Sequence, residues 1–138
     1  MAEVSELAKG FEGQWLLTYW SSADQPVHSF VLALRAVART GRGNLVGRIL
    51  GDPDGSVGDN LWLFVGEDAE NENPDGSRNV VGYFRHRGLN ARMAMVAICN
   101  GLMTGELTDR AASNPPDTTQ VETEYRVSIA CMTEQLAP

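Results

Sequence analysis

From residue 13 onward, apolar and polar side chains alternate almost one by one. This is the period of a β-strand, whose successive side chains point to opposite faces. The final stretch is the plainest. Gln120, Glu122, Glu124, Arg126 and Ser128 fall on one face, and Val121, Thr123, Tyr125, Val127, Ile129 and Cys131 on the other. Charge marks the first set as outward, so the second set points inward. In "GQWLLTYWSS" Trp15, Leu17, Tyr19 and Ser21 share one face and Gln14, Leu16, Thr18 and Trp20 the other, and the Trp15 face is assigned inward. Around residues 78–88, Arg85 and Arg87 belong outside, which turns Val80, Gly82, Phe84 and His86 inward. In 91–101, Arg92 and Asn100 belong outside, with Met93, Met95, Ala97 and Cys99 inside. That strand leaves an apolar outer stripe at Ala94, Val96 and Ile98, which needs a cover.

Turn chemistry divides these stretches. "SSADQP", "TGRG", "GDPDGSVGD", "EDAENENPDGS" and "RAASNPPD" are rich in Gly, Pro, Asp and Asn, and "GLN" at 88–90 is a tight hairpin connection. Eight strands follow, at 14–22, 28–40, 44–51, 59–67, 78–88, 91–101, 102–109 and 119–132. One helix precedes them: Val4, Leu7, Ala8 and Phe11 recur at helical spacing within 2–11, and Gly10 and Gly13 end it. The expected fold is all-β, an eight-stranded antiparallel up-and-down barrel with a short N-terminal helix. It forms a single domain over 1–138, with 1–13 as helix and lead-in. Closure would remove both exposed edges; a two-sheet sandwich is the alternative. The helix or a second subunit is expected to cover the outer stripe, and a homodimer or higher homo-oligomer is the expected assembly.

Composition narrows the function classes. The 138 residues suffice for one ordinary core, and 43% hydrophobic content fits a globular chain. The formal net charge is -7, which disfavours nucleic acid and anionic lipid as partners. The N-terminal "MAEVSELAKG" lacks a cationic start and an apolar segment, and no apolar run reaches membrane-helix length, so the chain reads as soluble and cytoplasmic with no membrane partner. Cys99 and Cys131 make no metal motif and read as buried thiols packing as small apolar groups. No phosphate loop, dinucleotide fingerprint or His-x-x-x-His is present, and "GDPDGSVGDN" lacks the closing Glu of a calcium loop. Neither a metal nor a cofactor is expected.

The inward set carries the candidate chemistry. Trp15, Leu17, Phe84, Met93, Met95, Cys99 and Thr123 would line an apolar cavity for a small hydrophobic or aromatic molecule. Tyr19, Tyr125 and His86 are the candidate hydrogen-bond donors or acid–base groups within it. Each also has a bland reading, a buried hydroxyl bonded to backbone or a packed imidazole. His28, at a strand start, reads as simply exposed.

The helix followed by Gly13-x-Trp15, together with Thr123-Glu124-Tyr125 near the end, resembles the calycin barrels. Lipocalins place a Gly-x-Trp on the first strand after a short helix and a Thr-Asp-Tyr late in the barrel. The chain departs from lipocalins in lacking the helix and strand that follow that late pattern. The avidin biotin-contacting pattern is absent from "WLLTYWSS". In length and pattern the chain also looks like small eight-stranded barrels that act as cofactor-free cyclases in natural-product biosynthesis. The inward set Tyr19, His86, Met93, Met95, Cys99 and Tyr125 supports a ligand-binding barrel first. A cofactor-independent cyclase or isomerase using the same donors comes second, and an assembly protein with a packed barrel third.

Overall fold

The computed structural model describes residues 4–21, 27–41, 43–51, 58–66, 72–87, 89–99, 101–109 and 123–132, with the side chains of Cys99 and Thr123 excepted. The expected strand segment 119–122, most of the acidic loop after residue 66 and most of the "GDPDGSVGD" turn lie outside these residues.

Alternation becomes eight strands: β1 (Gly13–Trp20), β2 (His28–Thr40), β3 (Gly43–Ile49), β4 (Leu61–Val65), β5 (Arg78–His86), β6 (Leu89–Cys99), β7 (Leu102–Asp109) and β8 (Thr123–Cys131). Each pairs antiparallel with the next, and β8 returns to β1, so the sheet is a closed barrel. The closing ladder runs from Trp15 opposite Cys131 to Trp20 opposite Arg126. It joins the two ends of the sheet and leaves no free edge. This settles barrel against sandwich.

The inward assignments made from alternation hold along the described strands. Trp15, Leu17, Phe84, Met93, Met95, Ala97, Val127 and Ile129 are all buried in one continuous core. Ser21 lies beyond the end of β1 and is exposed, so it is not part of the inner face. Cys131 is free and half-buried rather than fully buried.

The helix is shorter than its sequence pattern. α1 spans Glu6–Lys9, and the Ser5 hydroxyl caps it by accepting from the Ala8 N–H at 2.9 Å. Gly10 ends it. The helix does not cover the outer stripe on β6, contrary to one expectation. It folds under the barrel instead. Ala8 and Phe11 enter the core, the Trp15 indole N–H donates to the Phe11 carbonyl at 2.8 Å, and the two rings stack at 6.0 Å. The Glu12 carboxylate accepts from the Ala36 N–H at 2.9 Å, which ties the lead-in to β2. The physical reason is burial. Phe11 and Trp15 remove more apolar surface from water by plugging the barrel end than by lying on an outer wall.

Two buried asparagines complete the sheet where β4, the shortest strand, runs out. At one end the Asn44 side chain donates to the Val65 carbonyl and accepts from the Val65 N–H, both at 3.0 Å. At the other, Asn60 accepts from the Ile49 N–H at 3.0 Å and donates to the Arg85 carbonyl at 3.2 Å. Each side chain does what a missing strand residue would do for backbone groups that cannot be left unpaired.

Candidate site at the open end of the barrel

The strand directions give the barrel two unlike ends. One is sealed by α1, Phe11 and Trp15. The other, the open end in the sense that α1 lies opposite it among the described residues, is formed by the last residues of β1, β3, β5 and β7 and the first residues of β2, β4, β6 and β8.

Between these ends the lumen is filled. Leu17, Leu32, Leu45, Leu61, Leu63, Val65, Phe84, Met103, Leu107 and Ile129 all have 0% exposure. A side chain with no surface reachable by a water-sized sphere borders neither solvent nor a hole that could hold water. Trp15 (0%), Met93 (1%) and Met95 (4%) share this packing. Thus Trp15, Leu17, Phe84, Met93 and Met95, expected as cavity lining, are core, and Phe84 forms part of the floor on which the open end rests. The reason is volume: large side chains from all eight strands meet on one axis and occupy it. Cys99 and Thr123 have described backbone only, in β6 and β8.

Above this floor the inner face becomes aromatic. Tyr19 lies parallel to the His28 ring, with centroids 4.7 Å apart and planes at 15°. Tyr125 meets Tyr19 edge-on at 5.1 Å. Phe30 sits 6.3 Å from Tyr19 and 5.6 Å from Phe84, and the His86 ring meets it edge-on at 4.9 Å. The five rings Tyr19, His28, Phe30, His86 and Tyr125 come from four strands that the topology alone brings together. Offset-stacked and edge-to-face contacts of this kind add to the burial energy, by about 0.5–1.5 kcal/mol a pair.

Of the three expected polar groups, the structure unites Tyr19 and Tyr125. His86 lies on the other side of Phe30, which contacts both groups. Sequence reasoning missed Phe30, Asp109 and the inner-face placement of His28. The signal was the alternation itself: Leu32 and Leu34 point inward on β2, so Phe30 and His28 share their face. Asp109 likewise shares the face of Met103 and Leu107 on β7, and its carboxylate accepts from the Asn90 N–H at 3.3 Å. His28 is exposed, as expected, yet packs against Tyr19.

Electrostatics keep Tyr19 a donor. Burial raises its phenol above the ordinary value, and neighbouring Tyr125 and Asp109 push in the same direction, since each would face a second negative charge. The phenol therefore stays protonated through neutral pH and can donate to a carbonyl or hydroxyl oxygen. Beside the rings lies a cleft of about 320 Å³, lined by Phe30, Ile49 and His86 from the inner face and by Ser29, Val31, Leu50, Gly51 and Arg87 at the rim. Arg87 takes a left-handed backbone (φ 49°) in the tight turn joining β5 and β6, which brings its side chain to this rim. Among the described residues, no three His, Cys, Asp or Glu side chains gather to hold a metal ion, and no helix is long and apolar enough to cross a membrane.

Comparison with known protein-family models, curated proteins and solved structures finds no match for this chain. The closed eight-stranded barrel, with a short helix leading into Gly13-x-Trp15, is compatible with the calycin-type resemblance.

Proposed function

We propose that the protein binds a small, planar, predominantly apolar molecule at the open end of its barrel. The observation that carries this reading is the change in the inner face along the barrel axis: solid apolar packing gives way to five aromatic rings, two of which, Phe30 and His86, line a cleft of about 320 Å³. Apolar walls with a few polar groups are what small-molecule sites offer. Ring faces favour a flat guest, and the Tyr19 phenol and the exposed His28 imidazole supply hydrogen bonds that orient it. The buried lumen below gives the site a rigid floor.

The tryptophans are poor reporters of such binding. Trp15 is at the sealed end, and Trp20 and Trp62 are on outer strand faces. The test is instead a titration of isotope-labelled protein with 2-acetylnaphthalene, a neutral aromatic ketone, followed by amide and ring NMR shifts. Saturable shifts confined to Tyr19, His28, Phe30, His86 and their strand neighbours are expected. Phe30→Ala should weaken binding at least tenfold. An absence of shifts at the solubility limit, or shifts unaffected by Phe30→Ala, would overturn the reading.

A further inference from the structure

The outer wall formed by β5, β6 and β7 has no role in the open-end site. Its outward positions follow from the same alternation: Val81 and Tyr83 on β5, Ala94, Val96 and Ile98 on β6, and Thr104 and Glu106 on β7. Val81, Tyr83 and Ile98 are 52%, 50% and 54% exposed, and they make up three of the five large apolar side chains most exposed among the described residues. The other two, Val27 and Met132, stand singly next to strand ends. Clustering on one wall, rather than exposure of any single residue, sets this surface apart.

The wall also has relief. Val81 and Tyr83 form a ridge. Directly beside it, Ala94 floors a groove bounded on the far side by Thr104 and Glu106, with adjoining hollows of about 550 and 170 Å³ along its length. Ridge and groove are one strand apart, about 4.8 Å. We propose that this wall docks against the same wall of a second copy, each ridge seating in the other's groove about a two-fold axis. A surface with a knob and a hole side by side is complementary to itself, which is the requirement for an isologous dimer.

Charge supports a second copy over other occupants. The chain carries a net charge of -7, so two copies repel over most of their surfaces. This wall is nearly balanced: Arg85 and Arg92 face outward with Glu106. Arg92 and Glu106 both border the groove, and neither appears in an ion pair among the described residues. Two-fold docking brings Arg92 of one copy to Glu106 of the other, twice. A basic or acidic partner would find only one of these charges to its liking.

Sedimentation equilibrium from 5 to 200 µM tests the proposal, with far-UV circular dichroism and thermal melting as checks on folding. The wild-type mass should reach twice the 15.0 kDa of the chain. Ala94→Arg fills the groove and should give the single-chain mass with an unchanged spectrum. Arg92→Glu should weaken the dimer at least tenfold by opposing two carboxylates, and Arg92→Glu combined with Glu106→Arg should restore it. A wild type that stays monomeric at 200 µM overturns the proposal, as does an Ala94→Arg variant that still dimerises or a double variant with no recovery.

Discussion

The two ends of the barrel are built from the same alternating strands, yet they do opposite things with aromatic side chains. At the sealed end Phe11 and Trp15 are 3% and 0% exposed, and the one polar atom of the indole is bonded to backbone. Nothing is left over to bind with. At the open end Tyr19 is 7% exposed, Phe30, His86 and Tyr125 are half-buried, and His28 stands in solvent. There the rings pack on one another. The difference shows that aromatic content alone does not mark a binding site. What matters is whether a ring is covered, and among the described residues the cover is α1 and its lead-in, which lie at the Trp15 end.

The sharpest way to break this contrast is truncation at each end. Trp15→Ala should cost about 3–5 kcal/mol of stability in a urea titration, because it empties a fully packed site and strands the Phe11 carbonyl. Phe30→Ala should cost less than half of that, about 1–2 kcal/mol, since the ring is only partly buried. Equal losses would mean that the open end is as structural as the sealed one. Gly43→Ala probes the sealed end through the backbone. Gly43 has φ 138°, and an added Cβ would collide with the Leu63 carbonyl, so a loss of about 1–3 kcal/mol is expected by the same measurement.

Smaller effects separate the ends by pH. At the open end, Tyr19 holds its proton more tightly folded than unfolded, so its contribution is intact below the unfolded value near 10 and is lost as pH rises beyond it. Melting curves from pH 9 to 11 should therefore fall less steeply for Tyr19→Phe than for wild type. At the sealed end, Asp75 in the turn between β4 and β5 accepts from the Ser77 hydroxyl at 2.7 Å and the Ser77 N–H at 3.0 Å, which lowers its carboxyl below the usual range. That stabilisation is present above about pH 4 and is lost as pH falls through the lowered value, so Asp75→Asn should flatten the acid limb slightly. The carboxylate is fully exposed, and this is the smallest of the effects.

Much of the barrel was legible in the chain. Every strand expected from alternation and turn residues exists, and Glu124 and Arg126 on β8 or Arg85 on β5 were enough to orient whole strands, because a charge on one face fixes its neighbours on the other. His86 was placed inward for the same reason, and Tyr19 because it shares the alternation face of Trp15. His28 and Phe30 were not, since β2 carries no charge near its start and its orientation has to be counted back from Leu32 and Leu34. The asparagine clamps at Asn44 and Asn60 were invisible too, because their partners, Val65, Ile49 and Arg85, belong to neighbouring strands.

The amino-acid order by itself determined which residues form strands and which way each side chain faces, because both follow from a period of two that acts between immediate neighbours. The tertiary structure decided the rest: that β8 closes on β1, that side chains from all eight strands fill the lumen, and that rings from four strands meet at the end opposite α1. Closure joins residues more than a hundred positions apart, and filling depends on the summed volume of side chains from all eight strands, quantities that no local pattern records.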